Sequence, residues 1–125
     1  QCVPFEVCSG DELARVAALR VSGNDAFKAG LLEDALSAYE EGLGVIGGRY
    51  WGGDVQREET VKLLSNRSEV LLRLKRHKDA AESARLCLEV DESNVKARVR
   101  RVKALLEMEC TDEMLETAAA DLQAL

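Results

Sequence analysis

Two pairs of residues one helical turn apart carry groups able to grip an anion: Arg20 with Asn24, and Lys96 with Arg100. The i,i+4 spacing puts each pair on one face of its helix. Asn66 and Arg73, seven residues apart, also share a face, and Lys96, Arg100 and Lys103 form one basic stripe. Arginine and lysine neutralise carboxylates, while an asparagine amide donates hydrogen bonds to a carboxylate or to a ligand backbone. Charge-assisted hydrogen bonds are worth about 1.5–3 kcal/mol each. Each of these residues alone reads as an ordinary solvated side chain. They gain meaning only if three helices stand side by side and gather them in one groove. Glu69, one turn after Asn66, bears on that groove in one of two ways. It repels an acidic ligand, or it pairs with Arg73 at i,i+4 and is harmless.

The elements that must position these groups are helices. No proline follows Pro4, and the chain is rich in Ala, Leu, Glu, Arg and Lys. Residues 1–8 read as an extended tail. Ser9 with Glu12 fits a capping box, so a helix starts there. Leu13, Val16, Ala17, Leu19 and Phe27 give it an apolar period, and Gly30 ends it. A second helix is expected over 32–46, with Leu32, Leu36, Tyr39 and Leu43 on one stripe. Six of the 9 glycines fall between Gly42 and Gly53, marking the main loop. A third helix is expected over 57–74 and a fourth over 77–90, split by the basic turn Lys75-Arg76-His77. A fifth runs over 93–109. The turn Cys110-Thr111-Asp112 then leads into a sixth that reaches the end. No stretch alternates long enough to predict a strand.

Helices paired by short turns call for a test of periodicity. Aligning Gly30, Lys75 and Glu109 as the turn within each pair gives spacings of 45 and 34. The second is the tetratricopeptide period. The first is that period plus the length supplied by an insertion near 44–54. The repeats then cover about 16–60, 61–94 and 95–125, within a domain spanning 9–125. Repeat one presents Leu19, Gly23, Phe27, Ala35, Tyr39 and Gly42 at the pattern positions. Repeat two presents Leu64, Ser68, Leu71, Ala80, Ala84 and Cys87. Repeat three is weaker, with Val102, Leu105, Met114 and Ala118, and with Arg98 where an apolar residue is usual. The closing proline is absent, Glu92 standing in its place after the second repeat. The small residues let paired helices approach closely, and the larger ones fill between pairs. The expected fold is therefore all-α, a right-handed superhelical solenoid of three helix pairs whose first helices line a concave groove.

The segments GNDAFKAGLLEDALSAYEEGL, LLSNRSEVLLRLKRHKDAAESARLCLEVD and NVKARVRRVKALLEM resemble the tetratricopeptide domains of co-chaperones, over about residues 16–110. The resemblance implies binding of the extreme C-terminal peptide, of the Glu-Glu-Val-Asp type, of the 70 and 90 kDa heat-shock chaperones. It implies a two-carboxylate clamp that holds the side chain and chain end of a terminal Asp. The matching positions are Arg20, Asn24, Asn66, Lys96 and Arg100, with Arg20 standing where lysine is commoner. Arg73, Lys103 and Phe27 complete the expected peptide-binding set. A cytoplasmic adaptor without enzyme activity or cofactor is implied. The alternative is a scaffold that binds an internal segment or a subunit of an assembly.

Composition narrows the field further. The 125 residues carry a net charge of −6, which argues against general nucleic-acid binding. At 46% hydrophobic the chain can bury a core, and with 4% aromatics that core must be largely aliphatic. No apolar run approaches the roughly 18–20 residues that span a bilayer, and QCVPFEVCSG lacks the features of a secretory leader. The start at Gln1 suggests a piece of a longer protein. Cys87 and Cys110 read as small buried residues. Cys2 and Cys8 could pair, but a lone His77 and the absence of ligand spacing argue against zinc. The usage suits a reducing compartment. Gly42–Gly47 matches G-x-G-x-x-G but follows a helix rather than a strand, so a dinucleotide site is rejected. Asn66-Arg67-Ser68 is a glycosylation sequon placed mid-helix and is rejected too. The loop GVIGGRYWGGD reads as a tolerated insertion, or as an added contact for the peptide or for another part of the parent protein. Leu115, Ala119 and Leu122 would leave an apolar edge on the last helix, suited to continuation or self-association.

Overall fold

The computed structural model describes residues 5–108 and 120–124. Five helices are assigned in order: α1 Gly10–Lys28, α2 Leu32–Ile46, α3 Asp54–Arg73, α4 His77–Val90 and α5 Val95–Glu107. Residues 120–123 are helical as well. Among the described residues there is no strand, and no helix is long and apolar enough to cross a membrane. The expected turn at 110–112, most of the sixth helix, and Cys2, Met114, Leu115, Ala118 and Ala119 lie outside the described residues. Leu122 is described and is half-exposed.

Helices pack in succession, α1 on α2, α2 on α3, α3 on α4 and α4 on α5. Lighter contacts join α1 to α3 and α3 to α5. This is the arrangement of a tetratricopeptide-like helical solenoid, in which the first helix of each pair lies beside the first helix of the next. The Arg101 guanidinium pairs with Asp121 at 3.1 Å and ties the terminal helical residues to α5.

The repeat shows most plainly in the turns. After α1, Gly30 takes φ 80°, and the Leu31 amide donates back to the Ala26 carbonyl at 2.9 Å. After α3, Lys75 takes φ 64°, and the Arg76 amide donates to the Leu71 carbonyl at 2.9 Å. The two turns are the same device, a left-handed residue with a 6→1 hydrogen bond, set 45 residues apart. Lys75 holds the left-handed conformation with a full side chain where the first repeat uses glycine.

Helix starts follow local chemistry. Ser9 accepts from the Glu12 amide at 3.1 Å while Glu12 accepts from the Ser9 amide at 2.8 Å, a complete capping box. Asn94 accepts from the Ala97 amide at 2.9 Å, which sets the start of α5 at Val95 rather than 93. α3 begins at Asp54, three residues earlier than the apolar period suggests. Gly53 precedes it with φ 157°, and Asp54-Val55-Gln56 joins the helix, with Gln56 held by Cys8 and Glu6.

That contact packs the described part of the expected tail, residues 5–8, against the rest of the chain. Gln56 is buried, accepting from the Cys8 amide at 2.7 Å and donating to the Glu6 carbonyl at 2.9 Å and to the Arg49 carbonyl. Arg49 reaches Glu12 at 3.1 Å and Glu6 at 4.0 Å, and Phe5 lies 6.3 Å from Trp51. The Gly-rich loop is thus a seat for the chain's own N-terminal segment. A Cβ on Gly52 would collide with the Glu6 carbonyl oxygen, so that seat needs a glycine. Cys8 and Cys87 are both buried free thiols. Burial pushes the Cys87 thiol up to about 11, so it behaves as a small apolar residue.

The core is aliphatic apart from Tyr39. Val16, Ala35, Leu36, Tyr39, Ile46, Leu63, Val70, Leu71, Ala80 and Ala104 form one buried cluster. Leu64, Cys87 and Ala97 form a second between the later helices. Small residues allow close approach within pairs. Ser68 donates its hydroxyl to the Ala80 carbonyl at 3.1 Å, and Ser83 donates to the Leu64 carbonyl at 2.9 Å. Gly23 lies under the Tyr39 ring, where a Cβ would meet ring carbons at 2.5 and 2.7 Å. Gly23→Val should therefore lower the unfolding free energy by about 2 kcal/mol through overpacking, read from urea denaturation. An unchanged midpoint would mean that the ring is not held against α1.

Candidate functional site

The expected site residues come from three helices: Arg20, Asn24 and Phe27 from α1, Asn66 and Arg73 from α3, and Lys96, Arg100 and Lys103 from α5. A cavity of about 200 Å³ opens between these helices, lined by Asn24, Phe27, Lys28, Tyr39, Asn66, Glu69 and Arg100. Four of the eight expected residues thus share one cavity wall. A fifth, Arg73, stacks its guanidinium 4.8 Å from the Phe27 ring centroid, a cation–π contact.

The amides are connected. Asn24 Oδ1 accepts from the Tyr39 hydroxyl at 2.6 Å and from Asn66 Nδ2 at 3.1 Å. One oxygen thus takes two donors, one from its own helix pair and one from the next repeat. With that oxygen occupied on both sides, the Asn24 NH2 group remains as a donor. Tyr39 is buried, and burial raises its hydroxyl above the usual tyrosine range, the charge of Arg20 opposing part of that rise. The hydroxyl therefore stays protonated and keeps donating at neutral pH. Sequence reading placed Tyr39 on the apolar stripe of α2 and at a pattern position of the first repeat, and missed its hydroxyl. The signal available was a tyrosine, one of 2 in the chain, at a repeat position paired with the small residue Gly23.

The cations are met by carboxylates of the chain itself. Arg20 pairs with Glu59 at 2.7 and 3.4 Å, both side chains largely buried. Arg100 donates to Glu69 at 3.1 Å, to the Ser65 carbonyl at 2.8 Å and to the Ser65 hydroxyl. Arg73 donates to Glu69 at 3.0 Å. The i,i+4 pairing of Glu69 with Arg73 is present, and Glu69 spans to α5 as well. Neither Glu59 nor the Arg100–Ser65 bonds could be read from spacing, because the partners are 39 and 35 residues apart. Lys96 and Lys103 are exposed and have no ion pair among the described residues. Lys103 lines a separate cavity with Arg73, and neither Arg20 nor Lys96 lines the amide cavity.

No group of three or more metal-ligating side chains occurs among the described residues. The G-x-G-x-x-G stretch lies at the end of α2, with Gly47 closing that helix in the left-handed conformation at φ 60°. A Cβ on Gly42 would meet the Leu63 side chain at 3.2 Å.

Burial alone would raise the Glu69 carboxyl, but the hydrogen bonds and charges of Arg73 and Arg100 outweigh it and hold Glu69 below the usual carboxylate range. A carboxyl depressed in the folded state favours folding when ionised. Its contribution is complete above its unfolded value and is lost as pH falls through the folded one. Glu69→Gln should therefore flatten part of the fall in urea midpoint between about pH 5 and about pH 3. A slope identical to that of the unsubstituted chain would show that the Arg73–Glu69–Arg100 bridge is not formed in solution.

No protein-family model matches the chain. The DnaJ homolog subfamily C member 7 homolog of Schizosaccharomyces pombe (strain 972 / ATCC 24843) is 37% identical over 102 residues. The match takes in 81% of this chain and 20% of that protein. The chain thus spans about a fifth of the length of this curated relative.

Proposed function

We propose that this helical unit is a protein-interaction module that binds the acidic C-terminal peptide of cytosolic heat-shock chaperones, serving a co-chaperone or adaptor protein. Similarity to a DnaJ homologue supports a chaperone-associated role. The observation that carries the finer reading is the hydrogen bond from Asn66 to Asn24 at 3.1 Å, which joins two repeats at the floor of a cavity bordered by Arg100. A terminal Asp brings two carboxylates. In this reading the Asn24 and Asn66 amides donate to one of them, with Arg20, Lys96 and Arg100 supplying positive charge, and Phe27 and Arg73 covering the residues that precede it. Lys103 extends the basic stripe.

A second reading has its own support. Arg20 and Arg100 already hold internal carboxylates, so part of the charge meant for a ligand is neutralised. A scaffold that binds an internal segment needs no terminal clamp and is compatible with such pairs.

Titration calorimetry separates the two. A peptide ending in Glu-Glu-Val-Asp should bind, and its C-terminal amide should bind about tenfold or more weakly, because one charge-assisted hydrogen bond is lost. Equal binding of acid and amide would favour the scaffold. Lys96→Ala should cost about tenfold to a hundredfold in affinity for the acid form, since Lys96 is exposed and has no ion pair among the described residues. No loss would remove α5 from the clamp.

A further inference from the structure

Glu69 occupies a position that the binding of a terminal carboxylate does not use. It is the one residue common to two cavities: the amide cavity, and a second of about 380 Å³ lined by Leu72, Arg73, Lys75, His77, Lys103 and Glu107. A peptide whose end lies among Asn24, Asn66 and Arg100 and whose body continues along α3 and α5 must pass this carboxylate. The side chain is partly exposed and fixed from two sides, by Arg73 at 3.0 Å and Arg100 at 3.1 Å. Arg100 is held independently by Ser65, so it does not need Glu69 to stay in place.

We propose that Glu69 is the specificity-determining residue of the groove, a fixed negative charge between the two cavities that disfavours acidic residues upstream of the peptide's terminal one, at the positions of the two Glu in Glu-Glu-Val-Asp, and favours uncharged residues there. The inference rests on the peptide-binding reading above. Its physics is simple. Arg73 and Arg100 each share their charge with Glu69, so a ligand carboxylate arriving at that point meets one negative charge and two cations already half satisfied. An amide or hydroxyl meets no such opposition and can donate to Glu69. Like charges set against each other at an interface discriminate between partners more than they set overall affinity.

Glu69→Gln removes the charge and keeps the shape, and the Gln oxygen still accepts from either arginine. The experiment is a two-by-two titration of the chain and E69Q with peptides ending in Glu-Glu-Val-Asp and Gln-Gln-Val-Asp, both with free C-termini. E69Q should improve the affinity for the Glu-containing peptide relative to the Gln-containing one by about tenfold, the middle of the range for groups in contact. An affinity ratio that E69Q leaves unchanged, with all four pairs binding, would overturn the role of Glu69 and leave the peptide groove standing. Failure of both peptides to bind either protein would overturn the groove reading and this inference together.

Discussion

The site depends on one oxygen. Asn24 Oδ1 takes the Tyr39 hydroxyl and the Asn66 amide at once, and that junction links the first helix pair to the second at the cavity floor. Several features of the chain follow from it. Tyr39 can reach across only because Gly23 leaves space for its ring, and burial keeps the hydroxyl protonated as a donor. Ala35 lets α2 lie close to α1, which brings Tyr39 within reach. Asn66 arrives because α3 lies beside α1, the usual consequence of stacking repeats. Buried or half-buried amides that are satisfied in this way lose rotational freedom before a ligand arrives, which lowers the cost of binding.

Charge in the groove is balanced internally. The chain is acidic overall at −6, yet the three groove-lining helices concentrate arginine and lysine. Glu59 and Glu69 answer Arg20 and Arg100, so these two part-buried cations are each paired with a carboxylate. Lys96 and Lys103 are exposed and have no ion pair among the described residues. The division is physically reasonable. Guanidinium groups with several donors can hold an internal carboxylate and a carbonyl together, as Arg100 does with Glu69 and Ser65, whereas a lysine ammonium is a single mobile point of charge.

Much of the fold was legible because helix pairing leaves local marks. The 45-residue spacing from Gly30 to Lys75 was readable by aligning the expected turns, and the turns at both places carry the same 6→1 hydrogen bond. The small residues Gly23, Ser68, Ala35 and Ala80 marked the close approaches, and three of the four are fully buried at their helix contacts, with Gly23 beneath Tyr39. The parts that stayed hidden are long-range polar contacts. Gln56, just before the expected start of the third helix, carried no sequence signal, yet it latches Glu6 and Cys8 to the Gly-rich loop from 50 and 48 residues away. Arg20 looked like a free cation, and its partner Glu59 is 39 residues distant. Helical periodicity reports which face is apolar. It does not report which polar groups meet across faces, and those meetings decide how the cations are held.

Side-chain amide NMR tests the central claim most directly. With a peptide ending in Glu-Glu-Val-Asp added to saturation, the NH2 resonances of Asn24 and Asn66 should move together and by more than those of glutamine and asparagine side chains elsewhere, such as Asn94. Resonances of Asn24 and Asn66 that stay fixed while the peptide binds would contradict the account, because the ligand would then be recognised without the junction between the two repeats.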